Sequence, residues 1–421
     1  MNQAVAYSTL GLTVSLAVFR PRLGALRFTP GLAAVVGVLA LFASRLLTTD
    51  QLLAAAALQW RPLLTLTSIM VITGVVQEVG AVDRLVAWIE HRARARSAVH
   101  TFTVVFAISA IAPAVLNNDA AILMLTPIVV ALSRRLYPGQ PAITIALAFA
   151  VFLAPGVAPF IVSNPMNLIV AERAGLDFNS YAAVMLPISI VGAALTYAIL
   201  RAVYRPALAA AVVAPGGPPT TVHRHPAERP AVILMLAVFF AYPVAASLDV
   251  SIWAVAVAGA LAALAICRLY RVAPLRKATS HVSIDILVFL WGIFLVVQGL
   301  GRVGVVDWLH SVYATQAAGS GRELATVGVI SAIGSALIDN HPMSLLNLDA
   351  IGAAHARLLQ AALVGGDIGP RLLPIGSLAG LLWIDLLRRA GVEIGVRRFV
   401  RIGTLVLLPT LAASLLLLWL L

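Results

Sequence analysis

The sequence predicts an all-α polytopic membrane protein with about ten transmembrane spans, two re-entrant hairpins and inverted-topology repeats. Three observations predict it. The chain is 61% hydrophobic, only 11% charged, and has a mean hydropathy of +0.99, far from the soluble mixture of about a quarter charged residues. Two apolar segments, 101–134 and 321–356, are broken in the middle by Asn117-Asn118-Asp119 and Asp339-Asn340-His341-Pro342. Of the 29 Lys and Arg residues, 22 fall on one side when both broken segments are treated as hairpins. At roughly 20 apolar residues per span, the 421 residues leave no room for a large extramembrane domain.

In chain order, Met1 to Phe19 lacks a basic start and a small-residue cleavage site, so it reads as a retained first span rather than a signal peptide. Apolar stretches between charged or Pro/Gly punctuation place spans near 3–19, 28–47, 52–80, 141–175, 180–200, 230–247, 250–268, 283–301, 361–387 and 399–421. Segments 101–134 and 321–356 each read as two half-length helices meeting at a polar tip. A single crossing by 101–134 would put Arg134 and Arg135 opposite Arg92, Arg94 and Arg96, whereas a hairpin keeps them together on the inside, as the positive-inside rule requires. With both hairpins in place the N- and C-termini lie outside.

The halves repeat. Val75-Val76-Gln77-Glu78-Val79-Gly80 resembles Val296-Val297-Gln298-Gly299-Leu300-Gly301, and a polar tip follows about 40 residues later in each half. A span interrupted by proline and small polar residues follows each hairpin, at Ser163-Asn164-Pro165-Met166-Asn167 and at Pro374-Ile375-Gly376-Ser377. Paired interruptions at matching positions point to a midplane binding site. The resulting division is 1–51 as N-terminal scaffold spans, 52–204 as repeat one with hairpin 101–134 and broken helix 141–175, and 205–229 as linker. Residues 230–282 supply further scaffold spans, and 283–421 form repeat two with hairpin 321–356 and broken helix 361–387. Stretches 82–96 and 303–316 read as amphipathic interfacial helices, arms between a fixed scaffold and a moving domain.

Broken backbone at membrane depth leaves amides and carbonyls unpaired, which hydrocarbon penalises by several kcal/mol per group. Asn117, Asn118, Ser163, Asn164, Asn340 and Ser377 therefore read as a substrate-binding shell of donors and acceptors without full charge, with half-helix capping as the alternative. Intramembrane carboxylates are functional candidates by default. Asp119, Asp339 and Asp367 are the candidates for proton coupling, and for Asp367 a cap or a pairing with Arg371 stands beside it. His341 is a candidate relay or a hydrogen-bonded structural group. Glu78, Asp285, Asp349 and Asp385 lie near span ends, where interfacial solvation is the default. The single cysteine, Cys267, allows no intrachain disulfide or thiolate cluster. Scattered methionines lack metal-ligand spacing, so no metal is expected. The basic excess lacks a nucleic-acid-reading motif, and no zinc motif or nucleophile elbow supports an intramembrane enzyme.

These residues closely resemble the ArsB arsenite/antimonite efflux permeases of the ion transporter superfamily, from about Arg20 to the C-terminus. The resemblance rests on Asn117-Asn118-Asp119-Ala120-Ala121-Ile122-Leu123-Met124-Leu125-Thr126-Pro127-Ile128, on Ile161-Val162-Ser163-Asn164 with Gly175-Leu176-Asp177-Phe178 and Tyr181, and on Gly366-Asp367-Ile368-Gly369-Pro370-Arg371 running on to Leu378. It implies export of arsenite or antimonite across a bacterial inner (plasma) membrane in exchange for protons, by an elevator-type fold with scaffold and transport domains. No cofactor is implied; some family members also couple to a soluble arsenite-stimulated ATPase. Arsenite near neutral pH is an uncharged trihydroxide, which hydroxyl-binding Asn and Ser suit. Two departures stand out: an acid and a histidine at the second tip, and no cysteine before Asp367. Competing readings are a sodium/proton antiporter of the same superfamily and a dicarboxylate or sulfate carrier, the latter disfavoured because only Arg371 is placed to meet a dianion.

Overall fold

The computed structural model describes residues 2–23, 26–94, 97–214, 225–301 and 303–421; the side chains of residues 2, 3, 18, 19, 22, 23, 26, 27, 82, 86, 89, 92–94, 115, 119, 275, 278 and 300 lie outside the description. Among the described residues the fold is helical apart from a two-residue antiparallel pair, β1 (Arg22–Leu23) with β2 (Leu26–Arg27). The helices of the first half are α1 (Asn2–Phe19), α2 (Pro30–Ala43), α3 (Thr49–Glu78), α4 (Ala81–Arg94), α5 (Ala98–Leu116), α6 (Asn118–Leu136), α7 (Pro141–Leu153), α8 (Pro165–Ala174), α9 (Phe178–Val203) and α10 (Arg205–Ala210). The second half contains α11 (Glu228–Ser247), α12 (Ile252–Leu269), α13 (Leu275–Thr279), α14 (Ile284–Gly301), α15 (Val305–Tyr313), α16 (Gly321–Ile338), α17 (Asn340–Ile351), α18 (Ala356–Ile368), α19 (Leu378–Arg389) and α20 (Val396–Leu420).

Six of the described helices are long and apolar enough to cross a membrane: α3, α9, α11, α12, α16 and α20. Further apolar helices are shorter, as at Pro30–Ala43 and Pro141–Leu153. The protein is a polytopic helical membrane protein. From α3 to α9 and from α14 to α20 the order of elements is the same: long helix, amphipathic helix, helix pair, interrupted helix, long helix.

Several boundaries differ from the sequence reading. The hairpin arms are not half-length: α5 and α6 have 19 residues each and α16 has 18, while α17 alone is short with 12. Apolar composition cannot reveal how far an arm extends before it reaches the break. The second hairpin ends at Ile351, because Gly352 adopts φ +82 and stops the helix, and α18 starts at Ala356 rather than 361. The linker holds a helix, α10, and α11 begins at Glu228; residues 215–224, with the Pro/Gly run, lie outside the described residues. The four acids assigned to interfacial solvation have partners instead. Glu78 pairs with Lys277 at 2.7 Å and His281 at 2.9 Å, Asp349 with Arg173 at 3.4 Å, and Asp385 with Arg388 at 2.9 Å. Asp285 accepts the Gly31 amide at 3.0 Å. Sequence neighbours cannot reveal such contacts, apart from Asp385, whose partners lie one turn away.

Packing places the site. Hairpin one lies against α7 of its own repeat and α19 of the other, whereas hairpin two lies against α18 of its own repeat and α8 of the other. Each interrupted helix therefore sends one half into each of two apolar clusters. In one, Trp383 of α19 stacks on Phe152 of α7 at 4.7 Å and meets Phe399 of α20 at 6.0 Å. In the other, Gly365 lets α18 lie on α16, since a side chain there would strike the Gly328 carbonyl. The interruptions themselves fall where the two clusters meet.

Candidate functional site

The first interrupted helix stops after Leu153 because Pro155 brings no amide to continue the ladder, although Ala154 is still helical (φ −63, ψ −42) and donates to Ala150. It resumes at Pro165, a good first helical residue, after Asn164 adopts extended backbone and accepts the Met166 amide at 3.1 Å. The second ends at Ile368 before Gly369-Pro370, and resumes after Ser377, which accepts the Gly380 amide at 3.0 Å. The two breaks share a local form. Phe160 (φ −131, ψ 153) and Leu373 (φ −134, ψ 140) each enter a short 3-10 turn, and Asn164 (φ −144, ψ 134) and Ser377 (φ −152, ψ 149) each leave it.

Asp367, on the last turn of α18, reaches from repeat two into the break of repeat one. Its carboxylate accepts the Ala158 amide at 2.9 Å, Asn164 Nδ2 at 2.7 Å and Asn167 Nδ2 at 3.0 Å. Tyr181 supports the cradle: its hydroxyl lies 2.6 Å from Asn167 Nδ2 and donates to the Ala158 carbonyl at 3.1 Å. Arg371 crosses the same way, donating to the Leu153 carbonyl at 2.8 Å, the Pro155 carbonyl at 3.5 Å and Thr410 Oγ1 at 2.9 Å. The anion thus meets donors at the start of α8 and the cation meets carbonyls at the end of α7, the sense that each half-helix dipole favours. Asp367 and Arg371 each bond these partners, and no hydrogen bond joins the two among the described residues.

The hairpin tips are built alike. Asn117 (φ 68, ψ 160) accepts the Ala120 amide at 3.0 Å and starts α6; Asp339 (φ 78, ψ 149) accepts the His341 amide at 2.9 Å and starts α17. Both lie in a backbone region nearly confined to glycine, at a cost of roughly 1–3 kcal/mol each. Asp339 Oδ1 also stands 2.6 Å from His341 Nδ1, and both residues are buried. The edge of His341 meets the Phe289 ring, with centroids 5.5 Å apart.

Of the residues expected from sequence, Asn164 and Asp367 are joined directly, and Asp339 and His341 form their own pair. Asn117, Asn164 and Ser377 cap α6, α8 and α19. Asn118 Oδ1, Ser163 Oγ and Asn340 Oδ1 are buried and accept no hydrogen bond among the described residues. The Asp119 side chain lies outside the described residues. Sequence reasoning passed over Asn167, whose spacing of three from Asn164 puts both amides on one helical face. It also passed over Tyr313, Asn347 and Ser331, which form a buried chain: Tyr313 donates to Asn347 at 2.5 Å, Asn347 to Ser331 at 2.9 Å, and Ser331 to the Ala362 carbonyl at 2.6 Å.

The family model described as "Citrate transporter", CitMHS, matches residues 16–374. The arsenical pump membrane protein of Escherichia coli (strain K12) is 30% identical over 75% of this chain and 76% of its own length. That of Yersinia enterocolitica is 27% identical over 98% and 97%. Among solved structures, the Alcanivorax borkumensis YdaH transporter, described as having an unusual topology, superposes with a TM-score of 0.62 at 16% identity, covering 99% of this chain and 96% of that one. That likeness establishes a shared fold.

Proposed function

We propose, for a chain that belongs to the CitMHS/ArsB-type family of membrane transporters, that it exports arsenite or antimonite from the cytoplasm in exchange for protons. What supports this reading is that three buried acceptors, Asn118 Oδ1, Ser163 Oγ and Asn340 Oδ1, at the two hairpin tips and the first helix break, have no partner among the described residues. A buried acceptor left unsatisfied costs about 1–3 kcal/mol. A trihydroxide of arsenic or antimony brings three O–H donors and no net charge, so it satisfies such acceptors without a counter-charge. Arg371 favours the same substrate class, because both terminal nitrogens of its guanidinium are taken by Leu153, Pro155 and Thr410, which leaves only the buried Nε without a partner among the described residues and no paired donors for an anionic carboxylate such as citrate.

In this reading Asn117, Asn164 and Ser377 hold the starts of α6, α8 and α19 that shape the site, and Asn118, Ser163 and Asn340 hold the solute. The proton is carried by the acid set Asp119, Asp339 and Asp367, with His341 beside Asp339. Protonated Asp119 exchanges against bound solute as the hairpins and interrupted helices move against the remaining helices. An arsenite-stimulated ATPase belongs to this reading only as an optional cytoplasmic partner.

The test is arsenite accumulation in inside-out vesicles under an imposed gradient, acid inside, beside a sodium-gradient control and vesicles lacking the protein. Accumulation that collapses with a protonophore and ignores sodium supports proton-coupled export. Sodium-linked proton flux without arsenite movement identifies a sodium/proton antiporter instead. If Asp119→Asn retains full exchange, the proton role passes to Asp339 or Asp367.

A further inference from the structure

A groove of about 1430 Å³ opens between the start of α7, the end of α9 and the start of α20, away from the helix breaks. Its walls are apolar, formed by Ile145, Val203, Ile402 and Leu405, while Arg397, Arg398 and Arg401 line its rim. The arginines are exposed, and no carboxylate among the described residues pairs with them; Glu393, the acid nearest in sequence, makes no ion pair among those residues. Like charges three and four residues apart on a helix, as Arg398 and Arg397 are from Arg401, repel, and α20 adds to the positive field: it starts without a side-chain cap and has no acid in its first turn. Tyr204 faces the same groove with a buried hydroxyl that has no hydrogen-bond partner among the described residues.

We propose that this groove is a binding site for an anionic phospholipid, with the phosphate held by Arg397, Arg398 and Arg401 and the acyl chains lying along Ile145, Val203, Ile402 and Leu405. Both halves of the groove bear on the choice of ligand. Free phosphate satisfies the guanidiniums and leaves the apolar walls bare, whereas a zwitterionic lipid fills the walls and brings its own cation to the rim. An anionic phospholipid meets both, and basic pockets between helix ends at the cytoplasmic surface recognise such headgroups. The arginines of this region then have a role beyond setting orientation: they hold a lipid between α9 and α20, the final long helices of the two repeats.

The test is native mass spectrometry of delipidated, detergent-solubilised full-length protein titrated with phosphatidylglycerol, phosphatidylcholine or inorganic phosphate. Phosphatidylglycerol is expected to bind at least tenfold more tightly than phosphatidylcholine, and R397Q/R398Q/R401Q to lose at least tenfold of that affinity. Should this variant fail to fold, A142W and L405W narrow the groove from exposed positions and leave the charge intact; each is expected to weaken phosphatidylglycerol binding tenfold. Equal binding of the two lipids, unchanged phosphatidylglycerol binding in these variants, or complete displacement by millimolar phosphate overturns the proposal.

Discussion

Asp367 is where the two repeats touch chemically, since its carboxylate takes donors from Ala158, Asn164 and Asn167 of the other half. Replacing it with Asn keeps the shape but turns an amide NH₂ toward those donors, leaving at least one buried N–H unpaired at about 1–3 kcal/mol. Asp367→Asn is therefore expected to lower the thermal midpoint in detergent and to cut arsenite transport at least tenfold, the second measured by vesicle uptake normalised to folded protein. Asp177 offers a contrast at the surface. It caps α9, and hydrogen bonds from the Ser180 hydroxyl and then from the Ser180 and Asn179 amides hold its carboxyl below the ordinary value of 3.8. A depressed folded value means stability that is present above that ordinary value and lost as pH falls through the folded one. Asp177→Asn keeps the cap and removes the titration, so its acid unfolding curve should lose that increment below about pH 4, whereas Asp177→Ala costs about 1 kcal/mol at neutral pH.

Among the elements, the hairpin tips show the clearest design. Asn117 and Asp339 hold glycine-like backbone while supplying a cap, which only short polar side chains do readily. Alanine and glycine both remove the cap, but only alanine keeps the strain. At each position the alanine variant should therefore be less stable than the glycine variant by about 1–3 kcal/mol, checked by equilibrium unfolding in mixed micelles; equal stabilities would show that no strain is held there. The polar runs in apolar sequence made these breaks legible, as did the Pro and Asn or Ser pairs at the interrupted helices. Gly175-Leu176-Asp177-Phe178 was legible only as a family signature, and its local meaning is a left-handed stop at Gly175 followed by the Asp177 cap. Apart from Thr410, 39 residues beyond Arg371, the partners of Asp367 and Arg371 were not legible, because they lie some 200 residues away, around the break between α7 and α8. Arm lengths were hidden for a related reason: apolar periodicity continues past the depth at which a hairpin begins.

Over the whole molecule, contacts between distant helix ends fall into two groups. Glu78 with Lys277, Arg84 with Glu228, and Arg135 with Glu90 join ends that the charge distribution places inside, whereas Arg61 with Glu172 and Arg173 with Asp349 join ends that it places outside. Such partly exposed pairs contribute only about 0–1 kcal/mol each, so their value here lies in registering which ends share a side. In a Cys267→Ala background, Glu393→Cys should react with an impermeant maleimide only from the cytoplasmic face and Thr315→Cys only from the outer face; labelling of both from one face would break the inverted arrangement. The central claim concerns the charge of the transported solute. Its most direct test is uptake of radiolabelled citrate and of arsenite by the purified protein in liposomes under the same proton gradient. The uncharged acceptor shell and the committed Arg371 predict arsenite transport with no citrate above protein-free liposomes. Citrate uptake that arsenite fails to inhibit would contradict the account, because the site would then have to supply a cation that this arrangement spends on its own backbone.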